Sequence, residues 1–152
     1  MTQIRATAKL TGFSPQFITA RVPIILRQYD AVIFPAFKTE ISTAQFPWPR
    51  TTVRRNGQAV GSPRDIVDLG RLRASQQRFT LGAAGLSLGY RWGGPQAPYA
   101  PLVLNGSSGY VNGRGAITKD IPGRNWILPA LNRHPLDVFF AQQWRRLSGA
   151  TA

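Results

Sequence analysis

Hydrophobic and polar residues alternate over positions 2–10 of the chain. Apolar side chains occupy the even positions from Ile4 to Leu10 and polar side chains occupy the odd ones. A period of two is typical of a half-buried β-strand, because successive side chains of a strand point to opposite faces. We predict a first strand here, ended by Gly12.

A helical period replaces this alternation over 16–44, where apolar residues recur every three or four positions. Ser14 and Pro15 fit the helix cap and the first helical position. Pro23 and Pro35 lie inside the pattern. Because each removes a backbone hydrogen bond, we expect the helix to kink or break there, at Pro35 above all.

Residues 46–61 follow neither period. Pro47 and Pro49 exclude a helix, and the residues after them predict a hairpin that turns at Asn56 and Gly57. The segment is short and basic. We predict an exposed arm that protrudes from the domain and reaches a neighbour.

The second half of the chain predicts shorter elements. They are a helical turn over 68–74, strands over 76–81 and 86–92, a helix or strand over 99–104, and a last helix over 135–147. Residues 107–119 are rich in Gly and Ser, which predicts a long loop with a hairpin tip at Asn112 and Gly113. The residues expected to form the inner stripe of the last helix are Val138, Phe139, Ala141, Gln142 and Leu147, with Trp144 beside them.

These elements predict one α+β domain over 1–152. We expect a small mixed or antiparallel sheet packed against a long N-terminal helix and a C-terminal helix, with an extended hairpin and a long Gly-rich loop. A chain of 152 residues can bury a core of its own.

Charge narrows the classes of partner. The chain has 19 basic residues, nearly all Arg, against 6 acidic ones, which gives a net charge of +13. Guanidinium groups pair with carboxylates and phosphates alike, so this excess favours either nucleic acid or protein interfaces. The basic residues are spread along the chain and form no dense basic block.

Several kinds of site lack the residues they need. Cysteine is absent, which excludes disulfides, thiolate metal sites and a cysteine nucleophile.

No apolar run has the length of a membrane helix, and residues 1–5 lead into no signal-peptide core. We therefore expect a protein that is soluble where it is made, in the host cytoplasm.

Candidate chemistry is sparse. His134 is the only histidine, and its place before Pro135 favours a helix cap over catalysis. Asp65 and Asp68 could act as an acid and a base, but neighbouring arginines favour structural ion pairs. We therefore predict no catalytic, cofactor or metal site, and no enzyme.

The aromatic residues allow two interpretations. Tryptophan and tyrosine side chains between basic residues can stack on nucleic-acid bases. Tyr90 and Trp92 instead alternate like core-facing strand residues, so we favour a core role for most aromatic residues. Trp48 and Tyr110 lie in predicted loops and remain candidates for interface anchors.

Residues 54–147 resemble the tail-completion and head-to-tail joining proteins of long-tailed bacteriophages. The resemblance begins with a turn of the type Pro-x-Asp-x-x-Asp-x-Gly-x-Leu-x-x-Ser, here Pro63, Asp65, Asp68, Gly70, Leu72 and Ser75. It continues with the pairs Tyr99-Ala100 and Asn105-Gly106 and the triplet Arg124-Asn125-Trp126. Leu69 and Leu104 depart from the family pattern.

The resemblance implies a structural virion protein in the neck of a tailed phage, where it joins or terminates the tail. The implied assembly is a homo-oligomeric ring, expected to be a hexamer, that contacts neck stopper or adaptor proteins and the tail tube or sheath. Contact with DNA in the lumen would be non-specific, and no membrane or cofactor is implied.

The arm and the Gly-rich loop would order against these neighbours. The residues expected at the interface are Trp48, Arg54, Arg55, Asn56, Arg64, Asp65, Asp68, Arg71, Arg73, Tyr110, Arg114 and Arg124. The alternative is a general nucleic-acid-binding module that acts through its Arg-rich surface. It predicts salt-sensitive binding that is lost when Arg54 and Arg55 are replaced by Ala.

Overall fold

A computed structural model describes residues 2–5, 14–54, 56–67, 70–80, 87–108 and 120–148. Its elements in chain order are β1 Thr2–Arg5, α1 Pro15–Ser42, β2 Thr52–Val53, β3 Ala59–Val60, α2 Arg71–Ala74, β4 Gln77–Thr80, β5 Leu88–Trp92, α3 Ala100–Asn105, β6 Gly106–Ser107, β7 Ile121–Pro122, α4 Ile127–Arg133 and α5 Leu136–Ser148. The chain is α+β, with a long N-terminal helix, small sheets and a C-terminal helix, as predicted. The sheets are all antiparallel.

Helix α1 begins where the sequence predicts. The Ser14 hydroxyl accepts a hydrogen bond from the Phe17 amide at 3.3 Å, and Pro15 follows as the first helical residue. The helix then runs without interruption through Pro23 and Pro35, so the predicted break is wrong. Burial of one face of α1 on both sides of Pro35 offsets the lost backbone bond.

The buried face of α1 supplies one wall of the core. Its apolar members are Val22, Ile25, Tyr29, Ile33, Phe37 and Ile41, spaced by three or four residues. They pack against α4, α5 and the three-stranded sheet, whose strand order is β1-β5-β4. The same face buries Glu40, which forms an ion pair with Arg133 of α4 and accepts a hydrogen bond from Gln45.

The aromatic residues of β5 lie in this core, as predicted. Phe37 meets Tyr90 and Trp92 edge-on, at ring-centroid distances of 5.2 and 5.1 Å. Trp92 in turn meets Trp126 at 5.8 Å, and both indoles are fully buried. This chain of rings joins α1, the sheet and the start of α4, which fixes the C-terminal helices on the rest of the domain.

The last helical region differs from the prediction. Residues expected to lead into a single helix form a separate helix, α4, with His134 at its C-terminal cap. Helix α5 buries none of its residues fully. The predicted inner stripe is wrong at Val138, Ala141 and Gln142, which are exposed, whereas its other members, Phe139 and Leu147, are half-buried. Aromatic contacts hold α5 on α1: Phe139 packs on Tyr29 and Trp144 packs on Phe17, each at 5.4 Å.

The remaining predicted elements agree with the structure in part. The segment expected as a helix or a strand after Tyr99 is helix α3, and the predicted hairpin forms as β2 and β3. Residues 6–12 of the first predicted strand, and the hairpin tip at 112–113, lie outside the described residues. Within the described ranges, no helix is both long and apolar enough to cross a membrane.

Candidate functional site: an arginine cluster around Trp48

Two guanidinium groups lie over the indole ring of Trp48. The Cζ atom of Arg64 is 4.6 Å from the centroid of the indole, and the Cζ atom of Arg124 is 4.7 Å from it. Guanidinium groups favour the electron-rich face of an indole, and the attraction increases when water is excluded. We call Trp48, Arg54, Arg64, Asp65 and Arg124 the arginine cluster.

Backbone pairing brings the three segments of the cluster together. Phe46 and Arg64 exchange amide-to-carbonyl hydrogen bonds of 3.0 and 2.9 Å, which places the Pro-containing segment beside the turn at Pro63. The Ser62–Pro63 peptide bond is cis. The Arg124 amide donates to the Val103 carbonyl at 2.8 Å, so the guanidinium of Arg124 reaches Trp48 from the end of β7.

The hairpin folds back onto the same turn. Arg54, which follows β2, forms an ion pair with Asp65, and Arg64 donates a 2.8 Å hydrogen bond to the hydroxyl of Thr52. Asp65 also accepts a 3.0 Å hydrogen bond from the Val67 amide. The base of the hairpin is therefore attached to the domain, whereas its turn at 56–58 is exposed.

Positive charge exceeds negative charge among the described residues of the cluster, where three arginines face one aspartate. Burial and, to a smaller extent, the nearby charge of Arg64 lower the pKa of Arg124 to about 10, and the charge of Asp65 opposes both. In the part of the chain that the structure describes, the Nε atoms of Arg54 and Arg124 and the indole nitrogen of Trp48 are buried without a hydrogen-bond partner. Packing and cation–π contact, more than hydrogen bonds, hold the side chains of Trp48 and Arg124, whereas the ion pair with Asp65 holds Arg54.

The structure separates the predicted interface residues into groups. Trp48, Arg54, Arg64, Asp65 and Arg124 meet in the arginine cluster. The arginines of α2 lie elsewhere and are exposed, and Arg73 donates to the Ser42 hydroxyl at 3.1 Å. Asn56 stabilises the hairpin turn by accepting a 3.0 Å hydrogen bond from the Gln58 amide. The predicted residues that lie outside the described ranges are Arg55, Asp68, Tyr110 and Arg114.

The ion pairs of the turn also differ from the sequence-based expectation. Arg64, Arg71 and Arg73 were expected to pair with Asp65 and Asp68. Asp65 takes its ion pair from Arg54 instead, because the hairpin returns over the turn, and Arg73 turns away toward α1. Asp68 lies outside the described residues.

A second charged surface, which the sequence reasoning missed, follows α1. Asp30, Phe34, Lys38 and Ser42 are four residues apart and occupy one face of the helix. Lys38 and Arg78 both lie over the Phe34 ring, at 4.9 and 4.2 Å from its centroid. We call Arg27, Lys38, Arg73 and Arg78 the cationic row. The four-residue spacing on α1 is visible in the sequence, but the approach of α2 and β4 is not.

Comparison with known proteins leaves the chain without an assigned relative. No protein-family model matches it, and no curated protein and no solved structure matches it.

Proposed function

We propose that this chain is a structural virion protein of a tailed bacteriophage that forms a ring in the neck and joins or terminates the tail. The observation that supports this proposal is the meeting of two motif segments that carry the sequence resemblance. The turn at Pro63 and the triplet that begins at Arg124 are far apart in the chain, yet Arg64 and Arg124 both contact the indole of Trp48. These contacts set the position of the arm, which begins beside them.

The exposed part of the arm is the surface that a neighbouring subunit would cover. Val53 of β2 is 71% exposed, so this side of the hairpin presents a branched apolar side chain to solvent. In a closed ring each subunit presents two different complementary surfaces to its neighbours. We assign the Val53 side of the hairpin to one of them.

Assembly can be measured directly by mass photometry and negative-stain electron microscopy of the purified chain, alone and mixed with the neck and tail proteins of the same phage or prophage. We expect rings. Val53→Asp should prevent ring formation and leave the helical circular dichroism unchanged, because a charge would be buried at the contact. The matched control is Ala141→Asp on the exposed side of α5, which should still form rings.

A chain that stays monomeric at every concentration, and in every mixture with neck and tail proteins, would refute this function.

The nucleic-acid alternative rests on Arg54 and Arg55. The Arg54 side chain is only 9% exposed and is already paired with Asp65, so it is poorly placed to contact a phosphate. If DNA binding is present and disappears in the double Ala variant, the alternative is favoured.

A further inference from the structure

The cationic row is an exposed surface on a rigid support. Three of its members, Arg27, Arg73 and Arg78, are exposed, and Arg78 retains 56% of its side-chain accessibility. Lys38 lies over the ring of Phe34, four residues before it on α1, and Arg78 of β4 lies over the same ring. Arg73 donates to the Ser42 hydroxyl, so Lys38, Arg73 and Arg78 are each held by a contact with α1.

Few acids oppose these charges. Among the described residues, Asp30 is the only carboxylate paired with the row: it lies 3.3 Å from Arg78 and accepts a 3.0 Å hydrogen bond from the Tyr90 hydroxyl. Arg27, Lys38 and Arg73 form no ion pair with any carboxylate of the described ranges. No carboxylate in those ranges neutralises their charge, unlike that of Arg54.

The spacing of the row suits a regular polyanion. Positions 34, 38 and 42 of α1 are each about 6 Å apart along the helix axis, so the row from position 27 to position 42 extends about 22 Å. One strand of duplex DNA carries a phosphate about every 3.4 Å along its axis. The four cations of the row are therefore distributed over a length that corresponds to about six phosphate steps along the duplex axis.

A groove lies at one end of the row. It has a volume of about 210 Å³ and is lined by Pro23, Leu26 and Leu88, with Arg27, Asp30 and Arg78 at its polar side. An acidic peptide would need aromatic or apolar anchors distributed along the row to be held specifically. A straight row of charges with one small groove at its end fits a repeating backbone better.

We propose that the cationic row binds the phosphate backbone of DNA without reading its sequence. This inference deepens the proposed function, because DNA crosses the neck of a phage during packaging and release. It assigns the contact to α1, α2 and β4, whereas the nucleic-acid alternative predicts that binding depends on Arg54 and Arg55 of the hairpin. Phosphate contacts alone give affinity and orientation but no base specificity.

The test is fluorescence anisotropy with labelled duplexes of unrelated sequence, measured from about 50 to about 200 mM salt. The test variant is Lys38→Gln/Arg73→Gln, and the matched control is Arg145→Gln/Arg146→Gln, which removes two exposed charges from the end of α5. We expect the test variant to lose about 10- to 100-fold in affinity at about 100 mM salt, and its salt slope to fall by about 1.8. The control should keep most of its affinity and its slope.

Three results would overturn the inference. They are the absence of salt-dependent binding, equal losses in the test and control variants, and displacement of DNA by poly-glutamate at equal charge concentration, which would indicate an acidic protein partner. Circular dichroism of each variant verifies the fold. The assay uses the chain in solution and mass photometry reports ring formation, so a failure of DNA binding and a failure of assembly are separate results.

Discussion

Replacing Trp48 by Leu should show whether the arginine cluster holds the arm. The substitution keeps an apolar side chain at a half-buried position but removes the ring that Arg64 and Arg124 both contact. The two guanidinium groups would then lack the aromatic ring that attracts them. We expect a lower free energy of unfolding and a hairpin that is less protected from proteolysis.

The size of the effect follows from the burial of each cation. A cation over an aromatic ring contributes about 0.5–1 kcal/mol when exposed and about 2 kcal/mol when desolvated. Arg124 is 8% exposed and Arg64 is half-buried, so together the two contacts should be worth about 2–3 kcal/mol. Trp48→Phe retains a smaller ring and should cost about 1 kcal/mol.

Urea unfolding followed by circular dichroism measures these differences, at one protein concentration because assembly would change the midpoint. A double-mutant cycle with Arg124→Met isolates the contact. Arg124→Met alone should cost less than Trp48→Leu, since it also removes a buried charge that Arg64 repels. A coupling energy below about 0.3 kcal/mol would refute the claim that the ring binds the guanidinium.

Two further predictions concern the fold. Gly106→Ala should lower the free energy of unfolding by about 3 kcal/mol or more, because the φ is +77° and a Cβ there would lie 2.6 Å from the Gly123 nitrogen. Gly57→Ala, at a φ of +84° but with open space around the Cβ, should cost only about 1 kcal/mol. Similar losses for the two variants in urea unfolding would contradict this reason. Burial raises the pKa of Tyr29 from 10.0 to about 12, so the unfolded chain releases this proton first and stability should be lost as pH rises from 10 to 12. Tyr29→Phe should make the loss of stability with pH shallower. Part of the pH dependence should remain, because burial also raises the pKa of Tyr90. An unchanged pH profile would contradict the assignment to Tyr29.

The long helix, which repeats its apolar pattern over many turns, was the element most predictable from the sequence. Helix α1 contains many turns of one apolar pattern, which outweighs both internal prolines once the core forms. The division between α4 and α5 was missed because α4 is too short to show a period of its own. The inner stripe of α5 was predicted only in part: Phe139 and the neighbouring Trp144 hold this helix on α1, whereas Val138, Ala141 and Gln142 are exposed.

The individual residues of the candidate site were predictable from the sequence, but which of them contact one another was not. Trp48 was recognised because an indole between prolines has no place in a helix or a strand. Its two cations come from distant segments, and no local pattern connects Arg64 with Arg124. The ion pair between Arg54 and Asp65 depends on the return of the hairpin over the turn, which only the tertiary structure shows.

Burial divides the basic side chains into two groups, so the net charge of +13 overstates the charge that is exposed at the surface. Arg54 and Arg124 act within the subunit, because their charges are desolvated and directed at Asp65 and Trp48. Lys38 and Arg73 act outward. Substitution of Arg124 should therefore change the free energy of unfolding and leave the salt slope of DNA binding unchanged, whereas substitution of Lys38 and Arg73 should do the reverse. If both pairs changed the salt slope equally, the division by burial would be wrong, and DNA would be attracted by total charge alone.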